Sequence, residues 1–136
     1  MAVPKFWRQI PALYNLEGSV CGCGALAFPP REVCPKCHAV GLKPHRFRGK
    51  GTVETFTIIR TPTTDPEGEN IEVPARSIPY VMGIIRLEEG PRLTAQIVDA
   101  RPEDVRIGDR VELVFRKLLE KGPKGVIQYG YKFRPV

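Results

Sequence analysis

Residues 80–98 read YVMGIIRLEEGPRLTAQIV. Two runs rich in β-branched and apolar residues, 80–87 and 92–98, flank Glu88-Glu89-Gly90-Pro91, which predicts a β-hairpin with a compact connection. The same period of two extends on both sides of this hairpin. Residues 52–60 (TVETFTIIR), 110–118 (RVELVFRKL) and 126–133 (VIQYGYKF) are each bounded by Gly, Pro or charged turns and read as strands. Arg101-Pro102-Glu103-Asp104-Val105 predicts one helical turn, from which Ile107-Gly108-Asp109 leads back into a strand. Five short strands with a helical turn before the fourth fit a small Greek-key barrel, the OB-fold. The 13 glycines and 14 prolines among 136 residues agree, because they favour short strands and turns and exclude an all-helical chain.

Inside this frame, Gly83 alternates with Val81, Ile85 and Leu87 on the expected inward face and is expected to leave an opening there. On the last strand Ile127, Tyr129, Tyr131 and Phe133 share one face, expected to be barrel interior, while Lys132 and Arg134 point the other way. Residues 61–79, TPTTDPEGENIEVPARSIP, form a long connection with four prolines. Connections of that length in compact domains serve as binding loops or lids, or are structureless excursions. Arg60 and Arg76 flank it.

Upstream of the strands the chemistry changes. All four cysteines fall within Cys21-Gly22-Cys23, ten intervening residues, then Cys34-Pro35-Lys36-Cys37. In a chain expected to be cytoplasmic, where thiols stay reduced, two cysteine pairs read as tetrahedral zinc ligation by Cys21, Cys23, Cys34 and Cys37. The first pair is one residue shorter than the usual knuckle. Weak zinc binding, substitution of His38 or His45 for one cysteine, a ribbon held without metal, and redox chemistry therefore stay open. Four thiolates would close the coordination shell and make the metal structural, supplying the stability that a ribbon of about twenty residues lacks.

Phe6, Ile10 and Leu13 recur at helical spacing and predict a short N-terminal helix, with Pro4 suited to its first turn and Pro11 expected to kink it or split it in two. Phe6, Trp7 and Tyr14 present much apolar area for one short helix. Trp7 is expected either to face another subunit or to fill the crease between ribbon and barrel. The domain organisation is read as a helical segment over 1–18, a rubredoxin-like zinc ribbon over 19–48 and a five-stranded OB-fold barrel over 49–136.

The formal charge of +6 predicts attraction to polyanions: nucleic acid, acidic lipid or a phosphate-bearing small molecule. No run approaches the roughly eighteen apolar residues of a membrane helix, and the N-terminus lacks signal-peptide features, so a soluble cytoplasmic protein is expected and a membrane partner is not.

Five segments carry a resemblance: FWR (6–8), FPPREVCPKC (28–37), PYVMGIIRLEEG (79–90), PEDVRIGDRVELVF (102–115) and FRPV (133–136). Together they resemble the zinc-ribbon and OB-fold family of acyl-CoA-associated proteins known as domain of unknown function thirty-five. The resemblance implies a non-catalytic scaffold partner of thiolase-superfamily enzymes. It is most similar to the archaeal members that bridge an acetoacetyl-CoA thiolase and a hydroxymethylglutaryl-CoA synthase, early in the mevalonate route to isoprenoid lipids. Relatives elsewhere accompany steroid-degrading thiolases, aldolases and hydratases.

Independent catalysis finds little support. The two histidines lie in or beside the ribbon, all thiols belong to the metal motif, Ser19 and Ser77 have no base nearby in sequence, and there is no phosphate loop or nucleophile elbow. Zinc ribbons and OB-folds also serve nucleic acids, the alternative function. Against that, the second and third strands offer only Tyr80 for base stacking. Coenzyme A explains the charge differently, since its phosphates seek Arg and Lys and its pantetheine arm seeks an apolar slot. Arg60, Arg76, Lys132 and Arg134 are the expected phosphate contacts, with Gly83 opening room beside them.

Overall fold

The computed structural model describes residues 3–61, 78–120 and 123–136. It opens with helix α1, Val3–Asn15. The expected break at Pro11 does not occur: α1 is one helix with Pro11 inside it. Proline there removes one N–H bond, but Phe6 and the half-buried Ile10 and Leu13 form a stripe, and α1 packs along the sheet elements that follow. Phe6 takes the inward position, so Trp7 beside it is 65% exposed and does not fill the crease between ribbon and barrel. Leu16 ends the helix at φ 49, a left-handed conformation that favours glycine. Its side chain is fully buried, which offsets that strain.

A small antiparallel sheet follows, with β1 (Glu17–Val20) between β2 (Leu26–Ala27) and β3 (Lys43–Arg46). Gly18 sits where Ala27 O and the Phe47 ring approach so closely that a Cβ would lie 2.2 and 2.6 Å from them. That contact seats the sheet on the barrel core, to which Phe47 and Leu16 belong. Ser19 is not a free hydroxyl: it is buried and its Oγ accepts the Arg31 N–H at 3.0 Å.

The five predicted strands are present as β4 (Lys50–Ile59), β5 (Tyr80–Leu87), β6 (Arg92–Ile97), β7 (Arg110–Glu120) and β8 (Ile127–Pro135). They close into a barrel in the order β4-β5-β6-β8-β7, with β6 and β8 parallel through Ile97 opposite Phe133. Closure comes where Lys50–Thr52 pairs with Arg110–Glu112. The chain is thus mainly β, a five-stranded OB-like barrel preceded by one helix and a cysteine-bearing module. The predicted hairpin turn is drawn tight by the Leu87 N–H donating to Pro91 O at 2.9 Å. The predicted helical turn is a single 3-10 turn, Pro102–Asp104, after which Val105 plugs the core.

One face departs from expectation. Phe133 is fully buried and Tyr131 packs on the core, but Ile127 is 40% exposed and Tyr129 stacks on the exposed Phe115 at 5.5 Å. The cause is strand length. Beyond the pairing of β7 with β4 and of β8 with β6, the two strands pair among the described residues only with each other, so their far half leaves the barrel and its inward face meets α1 through Tyr14 and Phe115 at 5.0 Å.

On β4 the register slips between Val53 and Thr55, and the bulged Glu54 gathers two cations, pairing with Arg86 and with Arg92 at 2.5 Å. The hydrogen bond from Arg92, aided by Arg86 and opposed by desolvation, holds the Glu54 carboxyl below its ordinary value of 4.5. A depressed carboxylate stabilises the fold above its unfolded pKa, and that contribution is lost as pH falls through the folded value. Unfolding midpoints at about pH 7 and about pH 3 are therefore expected to differ less in Glu54→Gln than in wild type. An equal difference in both proteins refutes the linkage.

Candidate metal centre and basic surface

Strand β1 ends at Val20 and delivers Cys21 into a tight turn. Cys21 N–H donates to Ala25 O at 2.9 Å, Gly24 N–H donates back to Cys21 O at 2.9 Å, and Gly24 takes φ +90. This turn curls the short Cys21-Gly22-Cys23 pair around one point. The second pair sits in a turn closed by the Val33–Val40 bridge, with Cys34 N–H donating to Ala39 O and His38 N–H to Cys34 O.

The four Sγ atoms all lie within 4.8 Å of one another, with Cys21 to Cys37 at 3.4 Å and Cys23 to Cys34 at 3.8 Å. Thiolates about 2.3 Å from a tetrahedral zinc are spaced about 3.8 Å apart, so the donor set fits such an ion. Cys21 and Cys34 are buried and Cys23 and Cys37 are exposed. Neither histidine joins the cluster, and the His45 ring instead stands edge-on to Phe47 at 4.8 Å.

The turn is built for negative sulfur. The N–H groups of Lys36 and Cys37 point at Cys34 Sγ at 3.4 and 3.5 Å. Donation from Cys37, then Lys36, against desolvation, lowers the Cys34 thiol to about 6. Cys21 goes the other way, to about 12: the Cys23 backbone N–H favours its thiolate, but contact with Cys37, burial and the remaining thiols outweigh that. A cation held among the four sulfurs would let them all ionise together.

Of the predicted phosphate contacts, Arg60 and Arg134 are not brought together. Arg60 is exposed just past the end of β4, whereas Arg134 lies near the strand's other end, roughly 30 Å of strand away. Arg134 is already engaged by Glu112 directly across the β7–β8 ladder, Nε to Oε1 at 2.8 Å. Lys132 is half-buried; desolvation first, and then the neighbouring Arg116, lower its pKa. Arg76 lies outside the described residues, as does loop segment 62–77. Gly83 does face inward among Val81, Ile85 and Leu87, but it leaves no opening: a Cβ there would lie 2.9 Å from Ile97 Cδ1, because that side chain fills the space.

A cleft of about 630 Å³ lies elsewhere, where α1, the Phe28-Pro29-Pro30 segment and the barrel meet. Of its walls, Arg8 and Phe28-Pro29-Pro30 lie in the FWR and FPPREVCPKC segments, Leu13 on the helical stripe and Tyr131 on one face of the last strand, positions to which the sequence assigns no binding role.

Relatives extend over nearly the whole chain. A protein of Methanothermobacter thermautotrophicus named "DUF35 domain-containing scaffold protein" is 49% identical over 133 residues, covering 96% of this chain and 94% of the relative. The chain belongs to the DUF35 family. A second DUF35 scaffold protein, from Methanocaldococcus jannaschii, is 46% identical over 98% of this chain and 91% of its own length. The family described as "ChsH2, C-terminal OB-fold domain" matches residues 45–116, from the end of β3 into β7. Among solved structures, the "Ltp2-ChsH2(DUF35) aldolase" superposes with a TM-score of 0.72 at 28% identity, covering 96% of this DUF35 chain and 92% of that one. Among the described residues no helix is long and apolar enough to cross a membrane.

Proposed function

We propose that this chain is a non-catalytic scaffold subunit that binds and bridges two thiolase-superfamily enzymes, an acetoacetyl-CoA thiolase and a hydroxymethylglutaryl-CoA synthase. In this reading it holds one structural zinc through Cys21, Cys23, Cys34 and Cys37 and contributes cations, among them Arg60, Arg76 and Lys132, to a CoA-binding surface in the complex. Arg134 contributes only by exchanging Glu112 for a phosphate.

The observation that carries the reading is Trp7. An indole left 65% exposed on a helix whose charged residues are Lys5 and Arg8, with no acid among them, matches the aromatic anchors that dominate protein interfaces. The names of the relatives support a scaffold, and the drawing of every thiol into one centre leaves none for thioester chemistry. Mixed with the purified cognate thiolase and synthase, the chain is expected to co-elute with both in one complex. Trp7→Ala is expected to weaken assembly by about 2 kcal/mol, near thirtyfold, at an unchanged unfolding midpoint. Assembly indifferent to Trp7→Ala removes the anchor. Failure to assemble, with tight salt-sensitive binding of a single-stranded oligonucleotide, replaces this function with the nucleic-acid one.

A further inference from the structure

The cysteine centre is enclosed on one side and open on the other. Cys21 and Cys34 are buried, whereas Cys23 and Cys37 are exposed, and so is every residue of 22–24 and 35–40 around them. A Cβ placed on Gly22 or Gly24 would meet nothing within 4 Å, so nothing beyond the turn itself roofs the first pair. Solvent therefore reaches two of the four sulfurs directly. Each of these has a buried sulfur beside it: Cys37 lies 3.4 Å from Cys21, and Cys23 lies 3.8 Å from Cys34. The two contacts are not equivalent. Cys34 Sγ is held in place by the N–H groups of Lys36 and Cys37 at 3.4 and 3.5 Å, while Cys37 and Cys21 form the closer pair. An accessible sulfur with a second sulfur in reach is the arrangement that oxidises to a disulfide rather than to the higher acids.

We infer that the centre is also an oxidative modification site, at which a peroxide converts Cys37 and Cys21 into a disulfide and so withdraws two of the four metal donors. The Cys37 sulfur attacks one peroxide oxygen; the S–O bond forms as the O–O bond breaks, and the departing hydroxide takes a proton and leaves as water. The Cys21 sulfur then attacks the Cys37 sulfur. The S–S bond forms, the S–O bond breaks, and a second hydroxide takes a proton and leaves as water. The two sulfurs give up the two electrons that hydrogen peroxide accepts.

The consequence is a loosened ribbon. A disulfide across a spacing of 16 residues supplies only a fraction of the stability that a structural zinc gives. Strands of four, two and four residues have little else to hold them, whereas the barrel keeps its own core. Reduction by a dithiol returns both donors, so the change is reversible. The loosening rests on the zinc reading above; the disulfide itself does not.

The test treats the full chain, purified without chelator, with hydrogen peroxide and follows zinc release to a chromogenic chelator, intact mass and a peptide map made without reductant. About one equivalent of peroxide is expected to release most of the zinc, lower the mass by about 2 Da and give one cross-linked peptide joining Cys21 to Cys37. Amide exchange over 17–46 is expected to quicken about tenfold or more while β4 to β8 stay protected, and dithiothreitol with added zinc is expected to restore the ribbon. Cys37→His keeps a donor set of three cysteines and one histidine and is expected to release zinc about fivefold or more slowly. Should that variant fail to fold, the wild-type peptide map decides. Release at the wild-type rate from a folded Cys37→His overturns entry at Cys37. Zinc and thiols intact in about tenfold excess peroxide overturn the inference, as do a first disulfide between any other pair and a gain of oxygen with no cross-link. A chain free of zinc before treatment refutes the zinc reading alone: the Cys21–Cys37 disulfide at the same dose then still supports the modification site, and its absence overturns it.

Discussion

Replacing Cys34 by serine is expected to empty the metal centre and unfold the ribbon, the largest single-residue effect in the molecule. Cys34 is fully buried, lies 3.8 Å from Cys23 Sγ, and takes two backbone N–H groups at 3.4 and 3.5 Å. Residues 17–46 hold strands of four, two and four residues and bury little of their own besides Gly18, Ser19, Cys21, Ala27 and Cys34. So small a core does not offset its chain entropy, whereas structural zinc binding in isolated fingers is worth about 10 to 16 kcal/mol. Wild type purified without chelator is expected to carry close to one zinc, and Cys34→Ser less than about a tenth of that. In the variant, amide protection is expected to vanish over 17–46 and persist in β4 to β8, since the barrel has its own core. Wild type with less than about a tenth of an equivalent, and Cys34→Ser equally stable, means that backbone bonds alone hold the ribbon.

The barrel was legible because period-two alternation reports directly on burial. Val53, Val81, Ile85, Leu93, Val111 and Phe133 sit on inward faces at the predicted strands. The cysteine cluster was legible from spacing, and the turn at Gly24 shows how the short first pair still converges. What alternation does not report is the neighbour across the ladder. Gly83, opposite Ala95, reads as a gap until the diagonal neighbour Ile97 lays its side chain over it, and Arg134 reads as a free cation until register places Glu112 opposite. Ile127 shares a face with Phe133, yet β8 outruns its partner β6, so the same face changes from core to surface along one strand. The cleft was least legible, because Arg8, Phe28 and Tyr131 come from three separate elements and meet only by tertiary packing.

Phe133→Ala is expected to cost about 3 to 5 kcal/mol, a large fraction of the 5 to 15 kcal/mol that holds a domain of this size. The ring is fully buried and faces Leu113 across the β7 ladder. Its backbone makes the parallel bridge to Ile97 that joins the two halves of the barrel, with Val98 N–H donating to Phe133 O at 2.8 Å. Truncation therefore leaves a cavity at the one place where β6 meets β8, and the ladder bonds on either side resist its collapse. Phe133→Leu, which keeps most of the volume, is expected to cost about 1.5 kcal/mol or less. Denaturant unfolding followed in the barrel separates the two: the midpoint falls by different amounts at a common slope. A Phe133→Ala loss below about 1 kcal/mol shows that β8 moves inward and fills the space. In that case Tyr131, which leans on this ring, shifts with it.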